Sequence, residues 1–379
     1  MKKHYAYIIL LCCAALFAAG CSRTCDEEPV SPMPVTANLD ISVAFSGRAA
    51  DGYSITPAPE GDYDDEYMKC LRIIIVRPDG TVEHNRLLNF ENNFVKKVGD
   101  VDFRVVANEE KKIYLFANEG LTKVKNKEPD NGTSELKTYD FSTIEAGKPF
   151  PVKELAEYKF TLGGATEELA GPLPMSECHS VWVPEQEDYA CNLFITRAAV
   201  KFSFVFDNQS GEKRTLAGLE INKLLRTEYY LPRNAVYGEP DADGVRDITS
   251  FEVPSWEDSN NGYYTFKRYF GENIDLPTDK EIALPPIYLL EGKYADDAGT
   301  DGENGRRNYS TRIQLAELPD MWLEWQYFPN LTQLPRNTHV KVIAVIGKES
   351  AIAWTVEILP YTEAVLEPVF GLDEEEPEP

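Results

Sequence analysis

Short runs of residues that alternate between apolar and polar recur along the chain, and Gly, Asn, Asp and Pro separate them. Residues 71–88, LRIIIVRPDGTVEHNRLL, are typical of a β-hairpin with a Pro-Asp-Gly turn. Residues 102–118 repeat this pattern with a polar turn at Asn108–Lys112, and residues 336–360 form a further pair around Gly347–Ser350. Residues 191–226 predict a long strand, an Asn-Gln-Ser-Gly turn and a returning strand. Segments with the period of an amphipathic helix are scarce. This pattern predicts an all-β protein with little helix, built from β-sandwiches.

The length of 379 residues suggests about two domains, at roughly 100–200 residues per domain. The stretch from Val181 to Ala190 is polar, contains a proline and precedes the strongest strand-forming run of the chain. We place the domain boundary there. Residues 49–190 and 191–379 are therefore predicted to form two tandem β-sandwich domains.

The N-terminus has the features of an export signal. Lys2 and Lys3 precede the apolar run YAYIILLCCAALFAAG, which is short for a membrane span and ends in small residues before Cys21. The sequence LFAAGC is similar to a bacterial lipobox, whose cysteine becomes the lipid-modified first residue of the mature chain. Residues 1–20 are therefore predicted to be a lipoprotein signal peptide. The alternative is an ordinary signal peptide followed by a chance cysteine.

Charge and motif content exclude several classes of function. The formal net charge of −25 at pH 7 opposes binding to nucleic acid and to anionic headgroups. The histidines that follow the signal, His84, His179 and His339, are scattered, and no metalloprotease or serine-hydrolase motif is present. Adjacent Cys178 and His179 would point to opposite faces of a strand. We therefore predict that the protein is not an enzyme and that it has no catalytic residue, no metal and no cofactor.

The remaining cysteines leave two alternatives open. Cys178 and Cys191 are close enough in sequence to form a disulfide in an oxidising compartment, but they lack the spacing of a redox or zinc site. They are either bridged or are buried free thiols.

The segment LDISVAFSGRAADG, residues 39–52, joins a strand pattern to one basic residue. Its alternate apolar residues would share one face of a strand: Leu39, Ile41, Val43 and Phe45. Arg48 follows in a stretch typical of exposed chain, and it is the single Lys or Arg between Arg23 and Lys69. A trypsin-like protease would therefore have one bond to cut near this strand, Arg48–Ala49.

Several motifs together resemble the FimA-like fimbrillins of Bacteroidia, the subunits of type V pili. They are the hairpin at residues 71–88, LPMSE at 173–177, ITRAAVKFSF at 195–204, LPRNTHVKV at 334–342 and WTVEILPYTEAVLEPVFGL at 354–372. Each motif is weak by itself, but their order and spacing are specific. The resemblance extends over essentially the whole mature chain.

The resemblance implies two β-sandwich domains of transthyretin-like Greek-key topology and export as an outer-membrane lipoprotein. In the family, an arginine-specific protease cuts after an arginine that follows the first strand. In this chain the lipid would be on Cys21, residues 21–48 would form a propeptide, and the cut would lie between Arg48 and Ala49. Loss of the strand would open an apolar groove, which a C-terminal strand of the next subunit would fill.

The replacement strand must match the alternation of the strand that is lost. Four C-terminal residues alternate in this way and are candidates for the donor strand: Ile352, Trp354, Val356 and Ile358. The resemblance thus implies other fimbrial subunits as partners, surface receptors as adhesion targets and a location in a cell-surface fimbrium. The role within the pilus stays open between stalk, tip and an anchor that is not cut.

A second hypothesis comes from a different class of protein. Asp320 and Glu324 lie beside Trp322 and Trp325, a mixture of acidic and aromatic residues that is found in sugar-binding sites. A lipid-anchored surface protein that binds glycans through these aromatic residues is therefore the alternative. The corresponding structural interpretation is a segment that covers the core and keeps its acids in solvent.

Overall fold

The computed structural model describes residues 34–45, 64–90, 93–126, 132–255, 263–293, 309–328, 331 and 333–348, together with the strand backbone of residues 352–360. The strands of the first half are β1 (Thr36–Phe45), β2 (Cys70–Val76), β3 (Val82–Asn89), β4 (Lys97–Val106), β5 (Glu109–Ala117), β6 (Lys123–Asn126), β7 (Thr133–Glu135), β8 (Lys159–Thr161), β9 (Glu167–Ala170), β10 (Met175–Val183) and β11 (Asp188–Arg197).

The strands of the second half are β12 (Val200–Asn208), β13 (Arg214–Leu225), β14 (Thr227–Tyr229), β15 (Arg233–Tyr237), β16 (Val245–Arg246), β17 (Ile248–Glu252), β18 (Tyr263–Leu276), β19 (Ile282–Ala283), β20 (Ile287–Leu289), β21 (Gly292–Lys293), β22 (Ser310–Leu315), β23 (Gln326–Tyr327), β24 (Gln333–Leu334), β25 (Thr338–Ile346) and β26 (Ile352–Pro360). Helical structure in the described residues is limited to α1 (Val152–Ala156) and two 3-10 helices, Asp64–Glu66 and Phe141–Thr143. The predicted all-β class with little helix is confirmed.

A first core lies between two layers of one strongly bent sheet, whose strand order is β3-β2-β5-β10-β11-β1-β4. Strands β10 and β11 pair only where Met175 and Ser176 lie opposite Arg197 and Thr196, so the sheet folds over at this point. The alternate residues of each strand point inward, as the period of a strand requires. They form a cluster that includes Ile41, Val43, Ile73, Ile75, Phe103, Leu115, Val181, Leu193 and Ile195.

A second core lies between the sheet β26-β25-β12-β20-β9-β6-β7 and the sheet β18-β13-β22-β23. Three phenylalanines of β12 stack along this core at successive inward positions, with ring centroids 6.4 and 6.5 Å apart. The cluster includes Phe202, Phe204, Phe206, Leu219, Ile221, Phe266, Val340 and Val342. A third cluster, which contains Phe116, Phe141, Leu155, Tyr230 and Tyr288, combines residues from both halves of the chain.

Two of the four predicted strand pairs are confirmed, and two are wrong. β2 pairs with β3 and β25 pairs with β26, both antiparallel. Residues 102–118 do not form a hairpin, because β4 and β5 are not neighbours in their sheet. Residues 191–226 do not return as a hairpin either, because β12 and β13 belong to different sheets that contribute to one core. Alternation predicts an apolar face but does not say whether two strands pair or face each other.

The predicted domain boundary at residue 190 falls inside β11. Leu193 and Ile195 of this strand lie in the first core, and the second core begins at Val200 on β12. The division into two domains and their transthyretin-like topology stay predictions.

A buried arginine joins β10, the segment after β14 and the start of β25. The guanidinium of Arg336 donates to Glu291 Oε1 from Nε at 3.0 Å and from Nη2 at 2.5 Å. It also donates to the backbone oxygens of Tyr229 and Tyr230, and its Nη1 lies 3.4 Å from Ser176 Oγ. Ser176 and Arg336 belong to two of the sequence motifs, LPMSE and LPRNTHVKV, so these motifs meet in the interior.

Replacing Arg336 with Met is expected to lower the free energy of unfolding by about 3–5 kcal/mol, because the Glu291 carboxylate would lose its buried partner. Denaturant unfolding of the purified protein measures the loss. Arg246→Met is the matched control, since Arg246 is half-exposed and lies 3.7 Å from Glu110. The control should change stability by at most about 1 kcal/mol. Equal losses in the two variants would contradict a structural role for the buried pair.

Candidate functional site

The first strand, β1, lies inside its sheet rather than at an edge. It is parallel to β11, with register from Asn38↔Asp188 to Phe45↔Ile195. It is antiparallel to β4, with register from Thr36↔Val106 to Ala44↔Lys97. Backbone groups on both sides of β1 are therefore paired, and taking the strand away would leave two rows of unpaired N–H and C=O groups.

The apolar face of β1 lies in the first core. Leu39, Ile41 and Val43 have no exposed surface and Phe45 is 1% exposed, whereas alternate residues such as Asn38 are only partly covered. The structure thus places all four residues of the predicted removable strand together on one buried face. Whether they are removed stays a prediction. Arg48, Ala49 and Cys21 lie outside the described residues.

Polar side chains of β1 link it to both neighbours. Asn38 donates from Nδ2 to Asp188 Oδ1 on β11 at 2.9 Å, and its Oδ1 accepts from Arg104 on β4 at 3.0 Å. Asp40 faces two further acids on β4. Burial, followed by the charges of Asp100 and Asp102, raises the pKa of Asp40 above its usual value of 3.8. The acid therefore opposes the insertion of β1 when it is ionised.

Asp40→Asn is expected to stabilise the folded protein near neutral pH. The folded state holds the Asp40 proton more tightly than the unfolded state, so the wild type loses stability as pH rises from 3.8 through the raised pKa. The asparagine amide does not ionise, so the variant does not lose this stability. The stabilities of the two proteins should therefore converge below about pH 3.8. Denaturant unfolding at pH 3.5 and pH 7 tests this. Asn38→Asp is the opposite change, because it adds an acid on the same face of β1. An unchanged difference at the two pH values would contradict the expectation.

The end of β1 contacts a buried cation. The ring of Phe45 lies 4.2 Å from the guanidinium carbon of Arg197 and stacks on Tyr67 with centroids 6.2 Å apart. Arg197 donates to the backbone oxygen of Glu66 from Nε at 3.0 Å and from Nη2 at 2.8 Å. The Glu66 carboxylate in turn contacts Lys201 at 2.9 Å.

The sequence analysis does not predict this contact. Arg197 and Lys201 belong to the motif ITRAAVKFSF, which by itself indicates no role for either residue. A basic residue between apolar ones at the end of a predicted core strand was the available signal, since a buried arginine needs several acceptors.

The candidate donor residues lie on β26, at one edge of the second sheet. In the antiparallel pair with β25, Ile352, Trp354, Val356 and Ile358 are opposite Ile346, Ala344, Val342 and Val340. These four β25 residues are fully buried in the second core. Opposite residues of an antiparallel pair share a face, so the candidate positions lie on the same face of the sheet as these β25 residues.

The cysteine alternatives are resolved in favour of free thiols. Cys178, Cys191 and Cys70 are unbridged and buried. Burial raises the pKa of Cys178 to about 11 and that of Cys191 to about 12, so both are protonated at neutral pH. Cys191 packs in the first core, whereas Cys178 contacts Tyr114 and Tyr237. The two thiols thus occupy different environments.

His179 is buried and has an acceptor at each ring nitrogen. Its Nδ1 lies 2.9 Å from Asp247 Oδ1 and its Nε2 lies 2.6 Å from the backbone oxygen of Phe194 on β11. Two acceptors favour the protonated ring, in which both nitrogens donate. Burial opposes the charge, but the Asp247 hydrogen bond and the charges of Glu177 and Asp247 outweigh it and raise the pKa of His179. These contacts tie β10 to β11 and to the residue between β16 and β17 instead of activating Cys178.

Stability is expected to fall as pH rises through the raised pKa of His179. The folded state binds this proton more tightly than the unfolded state, so its contribution is complete below the usual pKa of 6.5 and lost above the folded value. Denaturant unfolding from pH 6 to pH 9 should show a downward slope that His179→Gln removes. His84→Gln, at a histidine that contacts the backbone oxygen of Arg104, is the control and should retain the slope. A slope unaffected by His179→Gln would refute the assignment.

The aromatic region of the alternative hypothesis lies on the sheet that contains β22. The guanidinium of Arg312 lies over both tryptophan rings, 5.1 Å from the centroid of Trp322 and 4.4 Å from that of Trp325. Trp322 also lies so close to Gly218 that a Cβ at that glycine would be 2.8 Å from its ring. Asp320 and Glu324 are exposed. The tryptophans thus cover the sheet and pack on Arg312, as the structural interpretation expects.

Within the described ranges, no group of three or more His, Cys, Asp or Glu could hold a metal ion. None of the helices in the same ranges is long and apolar enough to cross a membrane.

The fold is similar to solved structures of bacterial surface proteins. A protein of Parabacteroides distasonis that is assigned to cell adhesion has a TM-score of 0.51 at 13% identity, over 87% of this chain and 100% of that chain. The tip fimbrial protein Mfa3 of Porphyromonas gingivalis, truncated at its C-terminus, has a TM-score of 0.51 at 10% identity, over 86% and 99%. No family model and no curated protein sequence matches the chain. At these identities the likeness establishes a shared fold.

Proposed function

We propose that this chain is a structural subunit of a cell-surface fimbria that polymerises by exchange of a β-strand. It is exported as a lipoprotein through Cys21 and cut between Arg48 and Ala49. A C-terminal strand of another subunit then takes the place of β1. The observation that carries the proposal is the position of β1 between β4 and β11 with its apolar face buried. The likeness in fold to a fimbrial tip protein and a cell-adhesion protein supports it.

The burial of β1 explains why its loss would drive assembly. Each of the four inward side chains contributes roughly 1.5–3 kcal/mol when buried. A subunit without β1 would expose this apolar trough between two strands with unpaired backbone groups. Such a gap favours the addition of a strand from another chain, because that strand restores both the apolar contacts and the hydrogen bonds.

The position of Arg48 suits a processing site. It follows the last residue of β1 by three positions, so a cut there separates the whole strand from the rest of the chain. No other Lys or Arg is present between Arg23 and Lys69, so an arginine-specific protease has one bond to cut in this region. Cleavage leaves β1 held by non-covalent contacts alone, and a competing strand can then displace it.

The donor strand of this proposal comes from the C-terminal region of a second fimbrial subunit, which comprises β26, with Ile352, Trp354, Val356 and Ile358, and the tail that follows it. Host or bacterial surface receptors are the proposed adhesion targets of the assembled fimbria. Before processing, the lipid on Cys21 holds the precursor at the outer membrane. The role is structural rather than enzymatic.

Arg48→Gln is expected to block processing and assembly. In the native host, the wild-type surface form should begin at Ala49 and form ladders that resist SDS without heating. The variant should begin at Cys21, carry the lipid and remain a monomer. Intact mass and N-terminal sequencing of surface material measure both. Arg23→Gln is the matched control and should assemble normally. Wild-type surface protein that begins at Cys21 would instead favour an uncut pilus anchor or a glycan-binding lipoprotein.

A further inference from the structure

Phe45 occupies a pocket unlike those of the other inward residues of β1. The four inward residues all lie in the first core: Leu39, Ile41, Val43 and Phe45. Phe45 in addition contacts the Tyr67 ring and the Arg197 guanidinium, and we call these two side chains the Phe45 pocket. Arg197 has no exposed surface, and its hydrogen bonds to the Glu66 backbone hold it in place.

We propose that the Phe45 pocket selects the strand that replaces β1 by requiring an aromatic side chain, and that Phe370 of a second copy of this chain supplies it. This inference rests on the proposed strand exchange. It names the residue that sets the register and direction of the incoming strand.

Backbone pairing does not set that direction. Since β1 is parallel to β11 and antiparallel to β4, these two neighbours run antiparallel to each other. A strand inserted in either direction therefore gains one parallel and one antiparallel partner. The direction of the inserted strand is therefore set by the side-chain pockets, which differ in size. The small Ala37 is buried at one end of β1 and the large Phe45 at the other.

The pocket favours an aromatic ring on electrostatic grounds. A cation over the face of a ring is attracted by the π-electrons, and this attraction is stronger where water is excluded. An aliphatic residue would cover Arg197 without that attraction, and a small one would leave a cavity beside a buried charge. Tyr67 adds a stacked aromatic contact on the same ring.

The C-terminal tail contains one segment with the required pattern. Residues 361–379 follow β26 and contain two aromatic residues, Tyr361 and Phe370. Phe370 is preceded at every second position by Pro368, Leu366 and Ala364, which would occupy the positions of Val43, Ile41 and Leu39. Tyr361 does not fit this pattern, because Glu357, four positions before it, would occupy the buried position of Ile41.

Two further observations favour this tail over β26. Every residue of β26 already pairs with β25, so donating it would leave β25 with one unpaired edge. Pro368 would lie at the position of Val43, next to the bulge between Ile41 and Val43 in the pairing of β1 with β4, and proline is tolerated in sheets near such irregularities.

Competition by peptides tests the proposal without altering the folded protein. The full chain is cut after Arg48, and peptides compete with a labelled peptide of residues 34–48 for the β1 site. A peptide of residues 362–372 should compete. Phe370→Leu should weaken it about tenfold, as should Phe45→Leu in the β1 peptide. Phe370→Tyr should compete like the original, and so should Val369→Ala, the matched control on the other face.

The outcomes separate this inference from the proposed function. If the leucine peptides compete as well as the originals, the pocket has no aromatic requirement, although strand exchange stands. If the β1 peptide competes and the tail peptide does not, the assignment of Phe370 is wrong. Failure of the cut protein to take up the labelled β1 peptide would overturn strand exchange itself. Full-length Phe370→Leu should also lose the SDS-resistant ladders that Val369→Ala retains.

Discussion

The buried guanidinium of Arg197 is the interaction on which both cores of the structure depend. It ends β11, where the chain leaves the first sheet and continues into β12 of the second. It donates to the backbone of Glu66, lies 3.5 Å from Asn337 Oδ1 at the start of β25, and covers the ring of Phe45. An arginine keeps its charge inside a protein, and a buried charge without partners is costly. The two cores and the end of β1 are therefore held in one arrangement by the requirements of a single side chain.

The same arrangement bears on the proposed exchange of a central strand. β1 fills the space between β4 and β11, yet it precedes them both in the chain. A strand in the middle of a sheet normally has connections at both of its ends, and cutting it out would break the chain twice. β1 comes first among the described strands, so one cut after it leaves all the later strands connected to each other. Its buried face and its place in the chain order together make it suitable for exchange.

Local patterns were predictable from the sequence, and long-range neighbours were not. The β2–β3 hairpin was predicted because the Pro-Asp-Gly turn brings adjacent strands together. The pairing of β1 with β11 joins residues about 150 positions apart, and no local signal indicates it. β12 and β13 were predicted to pair, yet they belong to different sheets around one core, since apolar alternation is the same in both arrangements. Arg197 and Arg336 belong to motifs that the sequence shows, but their hydrogen-bond acceptors come from distant segments. The sequence therefore does not indicate these contacts.

The sequence by itself determined the all-β class, the apolar face of Leu39, Ile41, Val43 and Phe45, and the single basic residue that follows this face. These properties depend on the two-residue period of a strand and on residue identity, which are local. Tertiary structure alone decided that β1 is central, that Phe45 lies on a buried arginine and that Cys178 and Cys191 are free thiols in different environments. The physical reason is that the partners of a strand or a buried charge are chosen by packing among residues far apart in the chain.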